Sequence, residues 1–184
     1  GSPGPIRHDG IYRFDGSTIS RVVDHDAILP GGTNYATATE ISVEGGQIVF
    51  MGLDDPGNTG LYSAVGGTVH RVVGRNTAIP ALGGAFGDSL MSSAQPQVGG
   101  GKVAFNTRFR VFGANVDGTG LACLVSTNSL LPDGSGHFEE FYNFDGVSSP
   151  LVFAALSAGA DGTGNGIYVL QGAGIAPVVT FGAD

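Results

Sequence analysis

A single cysteine, Cys123, stands in 184 residues. That excludes an intramolecular disulfide and any paired-cysteine metal or redox site. Cations are scarce as well: eight Lys and Arg face sixteen Asp and Glu, for a formal net charge of −8. This balance argues against an electrostatic grip on nucleic acid or anionic lipid, and for a self-repelling surface. No apolar run reaches the roughly 18 residues of a membrane helix. The longest apolar-leaning stretch, Ser149 to Ala160, is short and contains Pro150. The G-x-S-x-G elbow, the H-E-x-x-H helix and the Walker loop are all missing. Glycine-rich stretches such as Gly99 to Lys102 open strands, so they offer a phosphate no helix N-terminus.

What the chain has in plenty is glycine, 33 residues of it, with no G-X-Y period. Gly1-Ser2 reads as a tag remnant and 3–9 as a lead. From residue 10 onward, glycine turns alternate with short Val/Ile/Phe/Tyr runs, the pattern of many short strands. One strand–turn–strand pattern recurs. It starts at Gly10-Ile11-Tyr12, Gly60-Leu61-Tyr62 and Gly166-Ile167-Tyr168, with a diverged copy from Phe112. Aligned without a gap, its turn glycines are Gly16, Gly66, Gly118 and Gly172. Glycine supplies the positive φ that hairpin turns need. A second hairpin lies between these copies, at Ile41–Phe50, Gln97–Phe105 and, more weakly, Phe144–Phe153. The links recur too: Ile28-Leu29-Pro30, Ala78-Ile79-Pro80 and Leu130-Leu131-Pro132, each followed by an aromatic at Tyr35, Phe86 or Phe138. No stretch reads convincingly as helix; the best candidate, Phe138–Tyr142, is one turn at most.

The unit is thus four short strands in about 50 residues, the size of a longer β-propeller blade. The expected fold is all-β, a propeller-like array of about three and a half four-stranded repeats. The half repeat spans 10–30 and the full ones 31–80, 81–132 and 133–184. A β-trefoil or another three-fold pseudo-symmetric β-fold also has four strands per repeat and stays open as the alternative. The stretch from Gly45-Gly46-Gln47-Ile48-Val49-Phe50 to Gly60-Leu61-Tyr62 and Gly66-Gly67-Thr68-Val69 resembles blades of TolB-type and related bacterial extracellular propellers. The resemblance is at motif level and runs over residues 10 to 182. It implies a secreted, periplasmic or cell-surface protein. A half repeat leaves a strand edge open, and proteins cover such edges. The expected partner is a second copy, giving about seven repeats in all, or neighbouring repeats of a longer protein.

Candidate sites are few. Asp24-His25-Asp26 is the densest polar cluster, and carboxylates around an imidazole suit a divalent metal. Asp-Gly turns suit Ca²⁺ through carboxylate and carbonyl oxygens. The best of these are Asp161 with Asn165, and Asp54 with Asp55. None has the spacing of a known calcium loop, and a loop Asp commonly bonds its own backbone instead. His137, Glu139 and Glu140 are the one acid–base grouping. Arg13, Arg21, Arg71 and Arg108 read as strand residues, each expected to pair with a carboxylate or a backbone oxygen, with a substrate role as the alternative. Tyr35, Phe86 and Phe138 are either ligand-facing or core. Cys123 takes the place of Arg21 and Arg71 in the repeat and reads as a strand residue. The leading functional expectation is a non-catalytic binding or scaffold module that takes a glycan or protein ligand. The alternatives are a glycoside hydrolase or lyase on a propeller, and a self-assembling structural repeat.

Overall fold

The computed structural model describes residues 9–31, 33–55, 58–80, 83–87, 95–147, 150–159 and 162–181. These residues are all-β, with no helix among them. The strands are β1 (Gly10–Phe14), β2 (Ile19–Asp24), β3 (Ile28–Leu29), β4 (Thr33–Glu44), β5 (Gln47–Asp55), β6 (Thr59–Val65), β7 (Thr68–Gly74), β8 (Gln97–Gly99), β9 (Lys102–Thr107), β10 (Arg110–Asn115), β11 (Ala122–Ser126), β12 (His137–Asp145), β13 (Leu151–Gly159), β14 (Gly162–Gln171) and β15 (Gly174–Phe181). They form four antiparallel meanders: β1-β2, β3 to β7, β8 to β11, and β12 to β15. The stretch Phe138–Tyr142, the best helical candidate in the sequence, lies in β12, where its buried Phe138 and Phe141 belong to a sheet core.

Glycine pairs set the turns. Gly45 and Gly46 have φ of 55° and 76°, Gly66 and Gly67 have 57° and 85°, and Gly100 and Gly101 have 54° and 78°. Two consecutive positive φ values are what a type I′ hairpin requires. The four hairpins β1-β2, β6-β7, β10-β11 and β14-β15 also share a register break. It falls between Ile11 and Tyr12, Leu61 and Tyr62, Val111 and Phe112, and Ile167 and Tyr168. Such a bulge sets two residues of one strand against one of the other. In β7 it allows consecutive Val72 and Val73 to enter the same core. The third hairpin departs from the gapless alignment. Phe112 faces Cys123, whereas Tyr62 faces Arg71, so its turn is two residues longer. Asp117 and Asn115 hold that longer turn through Thr119.

Each larger sheet carries a stacked aromatic pair across neighbouring strands: Phe50 on Tyr62, Phe105 on Phe112, and Phe153 on Tyr168. The links close alike as well. The amides of Tyr35, Phe86 and Phe138 donate to the carbonyls of Ala27, Thr77 and Ser129.

Sheets touch in chain order, β1 and β2 against β4, β4 and β5 against β8, and β9 and β10 against β12. Three apolar cores fill the spaces between them. Ile48 and Phe50 of β5 face the first, while Val49 and Met51 face the second. Strand β9 sends Val103 and Phe105 to the second core and Ala104 to the third. Strands apolar on both faces are those covered on both sides. Polar ties accompany the packing: buried Ser63 donates to the Val116 carbonyl, and Gly101 N–H to Gln47 Oε1 at 3.1 Å. Within the five-stranded sheet, β3 comes round to touch β7, so this sheet nearly closes on itself.

Candidate functional site

The Asp-Gly turns bind their own backbone. Asp15 accepts from the N–H groups of Ser17 and Thr18 at 2.9 and 2.8 Å. Asp117 accepts from Thr119 N–H and hydroxyl, and Asp133 from Ser135 N–H and hydroxyl. These donors stabilise the charged form. The Thr18 N–H foremost lowers the Asp15 pKa, the Thr119 hydroxyl that of Asp117, and the Ser135 N–H that of Asp133.

Of the residues singled out for metal, only Asp24, His25, Asp26 and Asn165 have described side chains. Asp24 meets Arg21 Nη1 at 3.2 Å, and its Oδ1 accepts from the Asp26 amide. Asp26 instead lies 3.2 Å from His25 Nδ1. The backbones of Asp54 and Asp55 end β5 opposite Tyr35 and Asn34, and their side chains are outside the described part. Asp161 lies outside the described residues; Asn165 is exposed on β14 between Leu156 and Phe181. Among the described residues no three His, Cys, Asp or Glu are grouped to hold an ion.

The other candidates are explained by neighbours. Glu140 is held by Arg108, with Nε–Oε1 at 3.0 Å and Nη2–Oε2 at 3.3 Å. Arg108 sits in the β9–β10 turn and not on a strand. Tyr35, Phe86 and Phe138 are buried, which removes them as ligand-facing surface. Burial foremost raises the Tyr35 pKa. Cys123 is half-buried on β11, its Sγ is 3.5 Å from the Val125 carbonyl, and desolvation raises its pKa.

A cleft that the motifs did not reveal lies where β3 approaches β7. Its volume is about 310 Å³, and Gly31, Asn58, Thr59, Tyr62, Arg71, Gly74, Arg75, Asn76 and Thr77 line it. The turn after β7 is fixed, since Gly74 N–H donates to Thr77 Oγ1 at 2.9 Å and Thr77 N–H to the Gly74 carbonyl. Arg75 Nη1 donates to Asn58 Oδ1 at 2.8 Å. Arg71 makes no hydrogen bond or ion pair among the described residues, contrary to the expectation that every arginine is paired. Its guanidinium lies so close to Gly31 that a Cβ there would be 2.6 Å from Nη1.

Register explains why Arg71 differs. Arg21 and Arg71 occupy the same place in their hairpins, opposite Tyr12 and Tyr62. Three residues on, the first hairpin has Asp24 and the other Gly74. The carboxylate that holds Arg21 is therefore missing beside Arg71. Comparing Arg21-Val22-Val23-Asp24 with Arg71-Val72-Val73-Gly74 contains this signal, which a search for carboxylate clusters passes over. No family model matches the chain, and no curated protein or solved structure matches it.

Proposed function

We propose that the chain is a non-catalytic binding or scaffold module of the β-propeller type, built from one repeated sheet unit, with its ligand-facing surface at the cleft beside Arg71. The resemblance to TolB-type extracellular blades agrees with this reading. The observation that carries it is the shared register break of the four hairpins, together with sheets whose main contacts among the described residues run in chain order. Stacked units of this kind bury their faces against one another and leave the connecting turns to meet ligands.

The reading assigns β1-β2 as half of a unit. Its Tyr12 occupies the place of Tyr62, Phe112 and Tyr168, but among the described residues no strand brings it an aromatic partner. A strand pair from a second copy or from further repeats completes it. Two copies that meet at their two-stranded sheets would give six larger sheets and one shared four-stranded one, the seven repeats expected of a dimer. Light scattering and amide exchange from micromolar to millimolar protein test the reading. The outward amides of β1 should gain protection as assemblies form. Fast exchange along β1 in every assembled state would overturn it.

A further inference from the structure

We propose that the seam cleft binds a small polyhydroxylated carboxylate of hexuronate size, with Arg71 as its carboxylate clamp. This narrows the binding-module reading and rests on it.

Four observations lead there. Arg71 and Arg75, two of only eight cations in a chain of net charge −8, line one cleft. Arg71 is without a partner among the described residues, because Gly74 stands where its counterpart hairpin has Asp24. A planar guanidinium recognises a carboxylate through two parallel N–H donors. The described cleft lining holds no carboxylate to compete, and Asn58, Thr59, Asn76 and Thr77 offer amides and hydroxyls suited to sugar hydroxyls. About 310 Å³ is at the small end of ligand pockets, which run from roughly 300 Å³ upward, so the occupant is a single ring and not a chain. Gly31 is needed for this shape: with φ of 119° and Arg71 Nη1 in the space of a Cβ, it allows the guanidinium to lie against the β3 turn.

The test is calorimetric titration of the whole chain with glucuronate, glucose and inorganic phosphate, repeated on R71M and G74D. Gly74 lies outside the positive-φ region, and a Cβ there would lie 3.3 Å from Arg71 Cδ, a tight contact that the flexible Arg71 side chain relieves by a shift of a few tenths of an ångström, so an aspartate there is expected to reproduce the Arg21–Asp24 pair. Glucuronate should bind the unmodified protein, with glucose and phosphate at least about tenfold weaker. Both variants should lose about tenfold or more in glucuronate affinity, the scale of a charge-assisted contact. Melting temperatures of the free variants no lower than that of the unmodified protein would place that loss at the site. Equal binding of glucose, preferred binding of phosphate, or full affinity in G74D would overturn the assignment. Absence of any glucuronate binding would overturn it too, while amide exchange along β1 still decides the scaffold reading separately.

Discussion

The hairpins β1-β2 and β6-β7 have the same bulge and the same Tyr–Arg cross-strand pair, but differ in what surrounds them. Tyr62 is 3% exposed and stacks on Phe50 of β5, whereas Tyr12 is 49% exposed. Phe14 and Ile19 beside Tyr12 are exposed as well. Local sequence makes the hairpin in both cases, and neighbouring strands decide whether its aromatic belongs to a core. The same pair of hairpins separates a satisfied arginine from an available one. Arg21 has Asp24, and Arg71 has a glycine and a cleft.

The largest effects should come from breaking the covered member of this comparison. Phe112 has the hairpin position of Tyr12 but is buried in the second core against Phe86 and Phe105. Phe112→Ala should cost about 3–5 kcal/mol in urea unfolding, the range for truncating a buried aromatic. Tyr12→Ala should cost about 0.5 kcal/mol or less, as for an exposed site. Equal losses would mean that β1-β2 is covered in solution by something beyond the described residues.

Turn glycines come next. Gly118 has φ of 84°, and a Cβ there would be 2.5 Å from the Arg71 carbonyl oxygen of the neighbouring sheet. Gly16 has φ of 99° with open space around it. Alanine at either position takes on backbone strain of about 1–3 kcal/mol. Only at Gly118 must the sheets also move apart. Thermal unfolding should therefore rank Gly118→Ala well below Gly16→Ala, and the reverse order would contradict the close approach of the β10–β11 turn to β7.

Smaller again is the arginine pair. Arg21 is 61% exposed, so its contact with Asp24 is screened and worth about 0–1 kcal/mol. Asp24→Ala should lower stability by no more than that, and G74D should raise it by a similar amount. A double change that exchanges the two residues would then leave stability nearly unchanged in denaturant titration. A large loss from Asp24→Ala alone would show that this side chain supports the turn after β2 more than it supports Arg21.

The sheet pattern was legible because its causes are local. Gly45-Gly46 and Gly100-Gly101 announce positive φ, and runs such as Ile48-Val49-Phe50 announce strands covered twice. The two-residue insertion before Cys123 was not legible. A glycine signals the sign of φ but not the length of the loop around it, so aligning on Gly118 displaced the strand before it. Arginine partners were also hidden. Arg108 reaches Glu140 across 32 positions through sheet packing, and no local spacing encodes that meeting. Conversely, the availability of Arg71 depends on a single glycine, visible only once the hairpins are placed in register.

The finest contrast is between turn aspartates and an uncharged replacement. Asp117 in the longer third turn has its native pKa below its ordinary value of 3.8, chiefly through the Thr119 hydroxyl and N–H. A lowered folded pKa gives stability that is present above the unfolded value and lost as pH falls through the native one. The melting temperature of the unmodified protein should therefore exceed that of Asp117→Asn by a small margin near pH 6. The margin should shrink as pH drops below about 3.8, where the unfolded carboxylate takes up its proton first. Asp15→Asn, in the uncovered hairpin, should behave alike, because its donors Ser17 and Thr18 belong to its own turn and need no neighbouring sheet. A margin that stays constant or widens down to pH 2 in both variants would mean that the turns are held by glycine geometry alone, with the carboxylates adding nothing.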